Sequence, residues 1–441
     1  MSMLDERSWG VLRRLTRWVD RFKVCFGNRT QEVCLKHYVD GLLNDSARKS
    51  MQAMHSRLLD PAPYQAFQHF VTHAPWEAAA VWRQLLAVLP ERQGILIFDD
   101  TGFPKQGKKS VGVARQYSGT LGKVGNCQIA VTAALWNGKR AWLVGADLYL
   151  PDGWHTPERR KQARIPARVQ FREKWRMALS LLRRVQSAKL QIHAVAADAG
   201  YGDITAFRTA LEKLGLPYAV GVSSTLGVFR GHPQTRPAAP QTKTGRPRTR
   251  PVMDGRVRST SISALAKQLP STAWREVSWR NGDNRPWKAE FIAQRVTPSH
   301  DWRHRRLAKE VWLLCQRSMG TKPRIKFYLV DLPQEASLAQ LVRLTHHRWA
   351  IEQQYQELKD ELGLDHFEGR TYPGWNHHVV LCAVAYAFLQ KERMRKRSGP
   401  TLTLPAIRAV IQEIFTGLLF LAQPKYMKWL AAGKRYLPLR M

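Results

Sequence analysis

The chain has 441 residues, with 70 Lys and Arg against 34 Asp and Glu, a formal net charge of +36. That length suffices for two to four domains and at least one sizeable core, and the cation excess makes a polyanion the default partner without separating DNA from RNA. Five scattered cysteines with no CxxC pair exclude a disulfide framework and a Cys/His zinc site as organising features; the N-terminus has no apolar signal core and the longest apolar run, 379–389, has 11 residues, so a soluble, cytoplasmic or nucleoid-associated protein with no membrane partner is expected.

Residues 1–90 read as helical. Tyr38, Leu42, Leu43 and Ala47, then Trp76, Val81, Trp82, Leu85 and Leu86, recur at helical spacing around a break at Pro61-Ala62-Pro63. Basic helices of this kind suit a helix-turn-helix-like DNA reader; a helical cap on the following domain fits the same pattern. From residue 91 the texture becomes α/β. Ile95 to Phe98 is a continuous apolar run, as in a buried central strand. Gln128 to Trp136, a turn at Asn137-Gly138 and a return strand from Ala141 form a hairpin. A helix over 171–190, a strand ending at Asp198 and a helix through Phe207, Leu211 and Leu214 follow, which is the pattern of a mixed sheet flanked by helices.

Residues 228–259 lose all apolar periodicity. Their Pro, Gly and Arg content reads as a flexible basic loop, with Arg246, Arg248 and Arg250 as nucleic-acid contacts and a solvated linker as the alternative. Residues 273–330 return to β character, with Trp274, Val277, Trp279, Trp287, Phe291 and Val296 alternating. The expected organisation is therefore a helical segment 1–90, an α/β core 91–220, a β-rich insertion 221–330, a second part of the core 331–395, and a basic helical tail 396–441.

Three carboxylates carry the chemistry. Asp99-Asp100-Thr101 and Asp198-Ala199-Gly200-Tyr201-Gly202 each follow an apolar strand, and buried acids at strand ends must be paired, protonated or metal-bound. Neighbours on a strand face opposite ways, so the doublet leaves open which Asp serves the site; a turn-starting Asp or a Gly-rich turn explains either segment structurally. On the helix from Arg348, the residues Arg348, Glu352, Tyr355 and Lys359 share one face. That face is either an ion-paired surface or the edge of a site where Arg and Lys hold phosphates beside metal ions. Two strand Asp and a helix Glu can converge on two Mg²⁺, with Mn²⁺ as a substitute, to clamp the attacking and leaving oxygens of a phosphoryl transfer. P-loop and Rossmann fingerprints are absent from the sequence.

These segments resemble a known family. Asp99-Asp100-Thr101-Gly102-Phe103-Pro104-Lys105, Val111-Gly112-Val113-Ala114-Arg115-Gln116-Tyr117-Ser118-Gly119, Ala197-Asp198-Ala199-Gly200-Tyr201-Gly202 and His347-Arg348-Trp349-Ala350-Ile351-Glu352, continuing to Lys359 and Arg370, are similar to DDE-class insertion-sequence transposases of the "insertion sequence 701" group. The resemblance runs from about residue 20 to 390. It implies a ribonuclease-H-like catalytic core interrupted by a β-rich insertion, with Asp100, Asp198 and Glu352 as catalytic metal ligands. Arg348 and Lys359 match a Tyr-Arg-Glu-Lys signature whose Tyr position is Thr345 here. Tyr355, Lys105 and Arg115 join them as DNA contacts, and Trp279, Trp287 and Trp302 are candidates to hold a flipped base, with core packing the competing role.

The expectation is a cut-and-paste transposase that binds double-stranded DNA at terminal inverted repeats, cleaves there, and joins 3′-hydroxyls to target DNA. Two ends suggest a homodimer in the active complex. A metal-dependent nuclease of the same fold, or a DNA-binding regulator with an inactive site, are the rivals.

Overall fold

The computed structural model describes residues 6–237, 251–253, 257–281, 286–304, 306–320, 322–395 and 402–422. Arg246, Arg248, Arg250 and most of the predicted basic tail lie outside them. Five helices come first: α1 (Glu6–Asp20), α2 (Arg29–Leu43), α3 (Met51–His55), α4 (Tyr64–Thr72) and α5 (Ala78–Val88). Asn28 and Ser50 cap α2 and α3 through side-chain oxygens that accept the Gln31 and Ala53 N–H groups. Next come β1 (Gln93–Pro104), β2 (Ala114–Ser118), β3 (Lys123–Trp136), β4 (Ala141–Leu148), α6 (Pro157–Gln162), α7 (Lys174–Ser187), β5 (Gln191–Ala197), α8 (Ala199–Gly202), α9 (Thr205–Lys213) and β6 (Tyr218–Val222). The following segment carries β7 (Gly227–Arg230), β8 (Thr235–Arg236), β9 (Val252–Met253), β10 (Thr260–Ser261), α10 (Ile262–Lys267), β11 (Arg275–Asn281), β12 (Pro286–Pro298), β13 (Val311–Arg317) and β14 (Ile325–Val330). Helices α11 (Leu338–His346), α12 (Trp349–Gln356), α13 (Tyr372–Arg393) and α14 (Leu404–Ala422) complete the described chain.

The core sheet runs β4-β3-β1-β5-β6. β3 is antiparallel to both of its neighbours β1 and β4, whereas β5 and β6 run parallel to β1. Three antiparallel strands followed by two parallel ones, with helices on both faces, is the ribonuclease-H-like arrangement. Strand alternation sorts the faces. Ile97 packs with Ala350, Ile351 and Tyr355 of α12, while Leu96 and Phe98 share a cluster with Leu181 and Leu182 of α7 and Phe207 of α9.

The insertion is not a detached unit. Its strands continue the same sheet beyond β6 in the order β14-β13-β12-β7-β10, with β11 on β12, giving 12 hydrogen-bonded strands. Part of the stretch read as loop, 228–259, is also structured. Val228 and Phe229 are buried, and that short apolar pair lets β7 join β12 antiparallel.

The N-terminal helices pack as a cap around α13. The Trp18 indole N–H donates to the Val384 carbonyl at 3.0 Å, Tyr38 and His378 are bonded at 2.8 Å, and Trp76 stacks on His377 with ring centroids 3.6 Å apart. Residues 379–389 are buried along α13, as their unbroken apolar run predicts. Among the described residues no helix is long and apolar enough to cross a membrane.

Candidate active site

The site arises from a mismatch in strand length. β1 pairs with β3 along its whole course to Pro104, but with β5 only as far as Phe98↔Ala197. Asp99 and Asp100 are therefore not at a strand end, as the apolar run suggested. They sit mid-strand, at the level where the neighbouring strand stops. Asp198 occupies that gap as the N-cap of α8, its Oδ1 accepting the Gly200 N–H at 3.0 Å. The small residues after it serve backbone packing: a Cβ on Gly202 would stand 1.9 Å from the Gly221 carbonyl oxygen of β6.

Asp99 and Asp100 point to opposite faces. On the α7 face, Asp100 Oδ2 accepts a hydrogen bond from Lys174 Nζ at 2.6 Å, and Oδ1 accepts one from the Tyr201 hydroxyl. On the α12 face, Asp99 Oδ2 accepts from the Arg348 guanidinium at 3.1 Å, and the other arm of that guanidinium donates to Glu352 Oε1. One guanidinium thus links Glu352 to Asp99, while Asp100 faces the other way.

The carboxylates feel one another. Burial pushes Asp99 up to about 7; Arg348 opposes that, and Asp198 and Asp100 add to it. Asp198 is raised by burial and then by Asp100, with Arg348 opposing. Burial disfavours the Arg348 charge, but Asp99, Glu352 and Asp198 outweigh it and hold the guanidinium above its ordinary value. Converging carboxylates that raise one another favour a bound cation.

The donor set fits a hard divalent ion in part. Asp100 and Asp198 offer carboxylate oxygens on either side of the gap, and Mg²⁺ is commonly held by one or two carboxylates with substrate phosphate and water completing the shell. Among the described residues no group of three His, Cys, Asp or Glu is arranged to hold a metal, because Glu352 is turned to Arg348. Joining the strand acids requires Glu352 to leave that pairing.

The remaining predicted residues are dispersed. Lys359 donates to the Gly102 carbonyl at 3.0 Å and to Thr120 Oγ1 at 3.1 Å, beside the site but on backbone. It lies in a π-helical turn, Glu357–Glu361, whose i→i+5 bonding rotates it away from the α-helical face shared by Arg348 and Glu352. Lys105 is buried, its ammonium donating to the Phe367 carbonyl at 2.6 Å and the Asp365 carbonyl at 3.3 Å. Arg115 is exposed on the outer strand β2. Trp279 lies against His346, ring centroids 3.9 Å apart and tilted by 37°; Trp287 is 48% exposed, and Trp302 is half-buried in a 3₁₀ turn, His300–His304.

Tyr355 is buried under the site, its hydroxyl bonded to Thr132 of β3 at 2.5 Å. This placement leaves it no surface to offer DNA. Tyr355→Phe should lower unfolding free energy by about 1 kcal/mol, the net worth of one internal hydrogen bond, and leave DNA affinity unchanged. Urea unfolding and fluorescence anisotropy on one preparation check both halves; weakened DNA binding at unchanged stability would reverse the assignment.

Two participants carry no site signal in the sequence, and the role of a third is ambiguous in it. Lys174 stands in a run crowded with Arg and Lys, where no spacing marks it. Tyr201 lies inside the Asp198 segment, but nothing in the sequence aims it at Asp100. Asp99 is half of the ambiguous doublet, and only the fold shows it as the Arg348 partner.

A family model described as "DDE superfamily endonuclease" matches residues 21–286, a span that holds Asp100 and Asp198 and ends before Glu352. A "Probable transposase for insertion sequence element IS701" from Microchaete diplosiphon is 30% identical over 209 residues, 46% of this chain and 52% of the relative. The chain thus matches about half the length of that relative. A solved piggyBac transposase synaptic complex with hairpin DNA aligns over 98% of this chain and 84% of its own at a TM-score of 0.41 and 8% identity, too distant to carry weight. Enzymes of the matched superfamily generally use divalent metals. Because more than half of the sequence, including both strand aspartates, fits that one model, the chain belongs to the DDE superfamily of endonucleases.

Proposed function

We propose that this protein is a cut-and-paste DNA transposase of the insertion-sequence type, acting on the terminal inverted repeats of its own element. The observation that carries the proposal is the placement of Asp198 in the gap beside the Asp99-Asp100 doublet, with Glu352 tied through the Arg348 guanidinium to Asp99, in a chain of net charge +36. The family membership and the similarity to the IS701 transposase support it. In this reading Asp100, Asp198 and Glu352 hold two Mg²⁺, replaceable by Mn²⁺, which when bound activate water or a 3′-hydroxyl and stabilise the leaving oxygen. Arg348 holds Asp99 and presents Glu352. Arg115 and the segment containing Arg246, Arg248 and Arg250 contribute cations to the DNA backbone. Two element ends are brought together by a homodimer associated with the nucleoid.

The test is to incubate the full chain with Mg²⁺, a duplex carrying the inverted repeats that flank its reading frame, and a supercoiled target. Ends joined to the target are expected. Cleavage without joining would replace transposition with a nuclease activity, and binding without either would make the protein a regulator.

A further inference from the structure

We infer that Lys174 is an internal counter-ion of the metal site: its ammonium holds Asp100 in the metal-free enzyme and moves to the DNA phosphate when a divalent ion takes that carboxylate. The inference rests on the proposed metal-dependent function and adds a residue that neither the family match nor the sequence assigns a role.

Both oxygens of Asp100 are already engaged. Lys174 Nζ lies 2.6 Å from Oδ2, and the Tyr201 hydroxyl donates to Oδ1. Each oxygen keeps a second lone pair, but a divalent ion on Oδ2 would stand close to the ammonium and repel it, so ion and ammonium compete for the charge of Asp100. Tyr201 is fully buried and fixed against Phe207, which makes it a permanent support. Lys174 is different. Its side chain is 34% exposed and that of Asp100 is 27% exposed, so it stands at the mouth of the site on a flexible stem.

Its position is electrostatically peculiar. Lys174 is the first residue of the 14-residue helix α7, where the helix dipole favours anions and disfavours an ammonium. A carboxylate 2.6 Å away compensates for that. Once a cation neutralises Asp100, the ammonium loses this compensation and an incoming phosphodiester becomes its best partner. Its ammonium also lies over the face of Tyr149, 5.3 Å from the ring centroid. Lys174 therefore acts as a placeholder without DNA and as a positioning residue for the scissile phosphate with it.

The experiment measures Mn²⁺ binding to the metal-free full chain without DNA, by the paramagnetic signal of unbound Mn²⁺, and strand cleavage separately. Lys174→Met should bind Mn²⁺ about two- to fivefold more tightly, since an internal competitor worth no more than a partly exposed ion pair is gone. The same variant should cleave at least about tenfold more slowly at saturating Mn²⁺, and Lys174→Arg should recover part of that loss. A Lys174 that merely braces the fold would give a lower melting temperature with Mn²⁺ affinity unchanged or weaker, and that result overturns the inference. Asp100→Asn separates the two levels. If it leaves Mn²⁺ binding intact, the metal-dependent reading itself fails; if it abolishes binding while Lys174→Met is no tighter than the parent, only the role of Lys174 fails.

Discussion

Replacing Asp100 or Asp198 with Asn should abolish strand cleavage and joining while leaving DNA binding intact. The expected loss is at least about 10³-fold, since a carboxylate that holds a catalytic cation supplies several kcal/mol of transition-state stabilisation, and about 4 kcal/mol corresponds to that factor. Neither substitution should unfold the protein. Asn caps a helix as well as Asp does, so Asp198→Asn keeps the bond to the Gly200 N–H that starts α8. Asp100→Asn removes the Lys174 ion pair, but that pair is partly exposed on both sides and worth no more than about 1 kcal/mol. DNA affinity should hold or rise slightly, because each change deletes a negative charge facing a polyanion. Cleavage of a labelled end duplex, read with its binding isotherm at the same salt, tests this. A variant that binds and still cuts within tenfold of the parent removes that residue from the machinery.

The two strand acids were legible because each follows an apolar run that only a buried strand explains, and a carboxylate there demands a partner. Their exact setting was not. The sequence shows where hydrophobicity ends, not where pairing ends. β1 continues past Asp100 because β3 stays beside it, and the alternating residues Thr101 and Phe103 are buried there too. Tyr355 and Lys105 show the opposite failure. Both stand in segments rich in charge, and a helical wheel sets Tyr355 on the Glu352 face. Packing decides otherwise: Tyr355 lies against Ile97 and Ile351, and Lys105 spends its charge on two loop carbonyls. Lys359 is displaced by a π turn that no propensity announces. The extension of the sheet through the insertion depends on pairing between β6 and β14, about a hundred residues apart, a distance over which periodicity carries no information.

Arg348→Gln should damage both chemistry and stability, and the stability effect has a pH signature that identifies its cause. Arg348 is the strongest influence opposing the upward push of burial on Asp99, and it also holds Glu352. Without it Glu352 loses its tether, and misplacement of about 1 Å in a catalytic group costs ~10²-fold in rate. For stability, the unfolded chain releases the Asp99 proton near its ordinary value of 3.8, whereas the folded protein keeps it to about 7. Folding therefore takes up a proton between those values. The contribution of Asp99 to stability falls as pH rises through that window and is level above it. Loss of Arg348 moves the folded value higher still, so the fall continues above pH 7 at up to about 1.4 kcal/mol per pH unit. Urea unfolding in the presence of a chelator, between pH 6 and 9, should show the variant still losing stability above about pH 8, where this group no longer changes the parent. The double variant Asp99→Asn with Arg348→Gln has no carboxyl left to titrate there and should lose the extra slope. If the single variant instead runs parallel to the parent from pH 7 to 9, the Arg348 guanidinium is not what keeps Asp99 charged, and the electrostatic link from β1 to Glu352 does not exist.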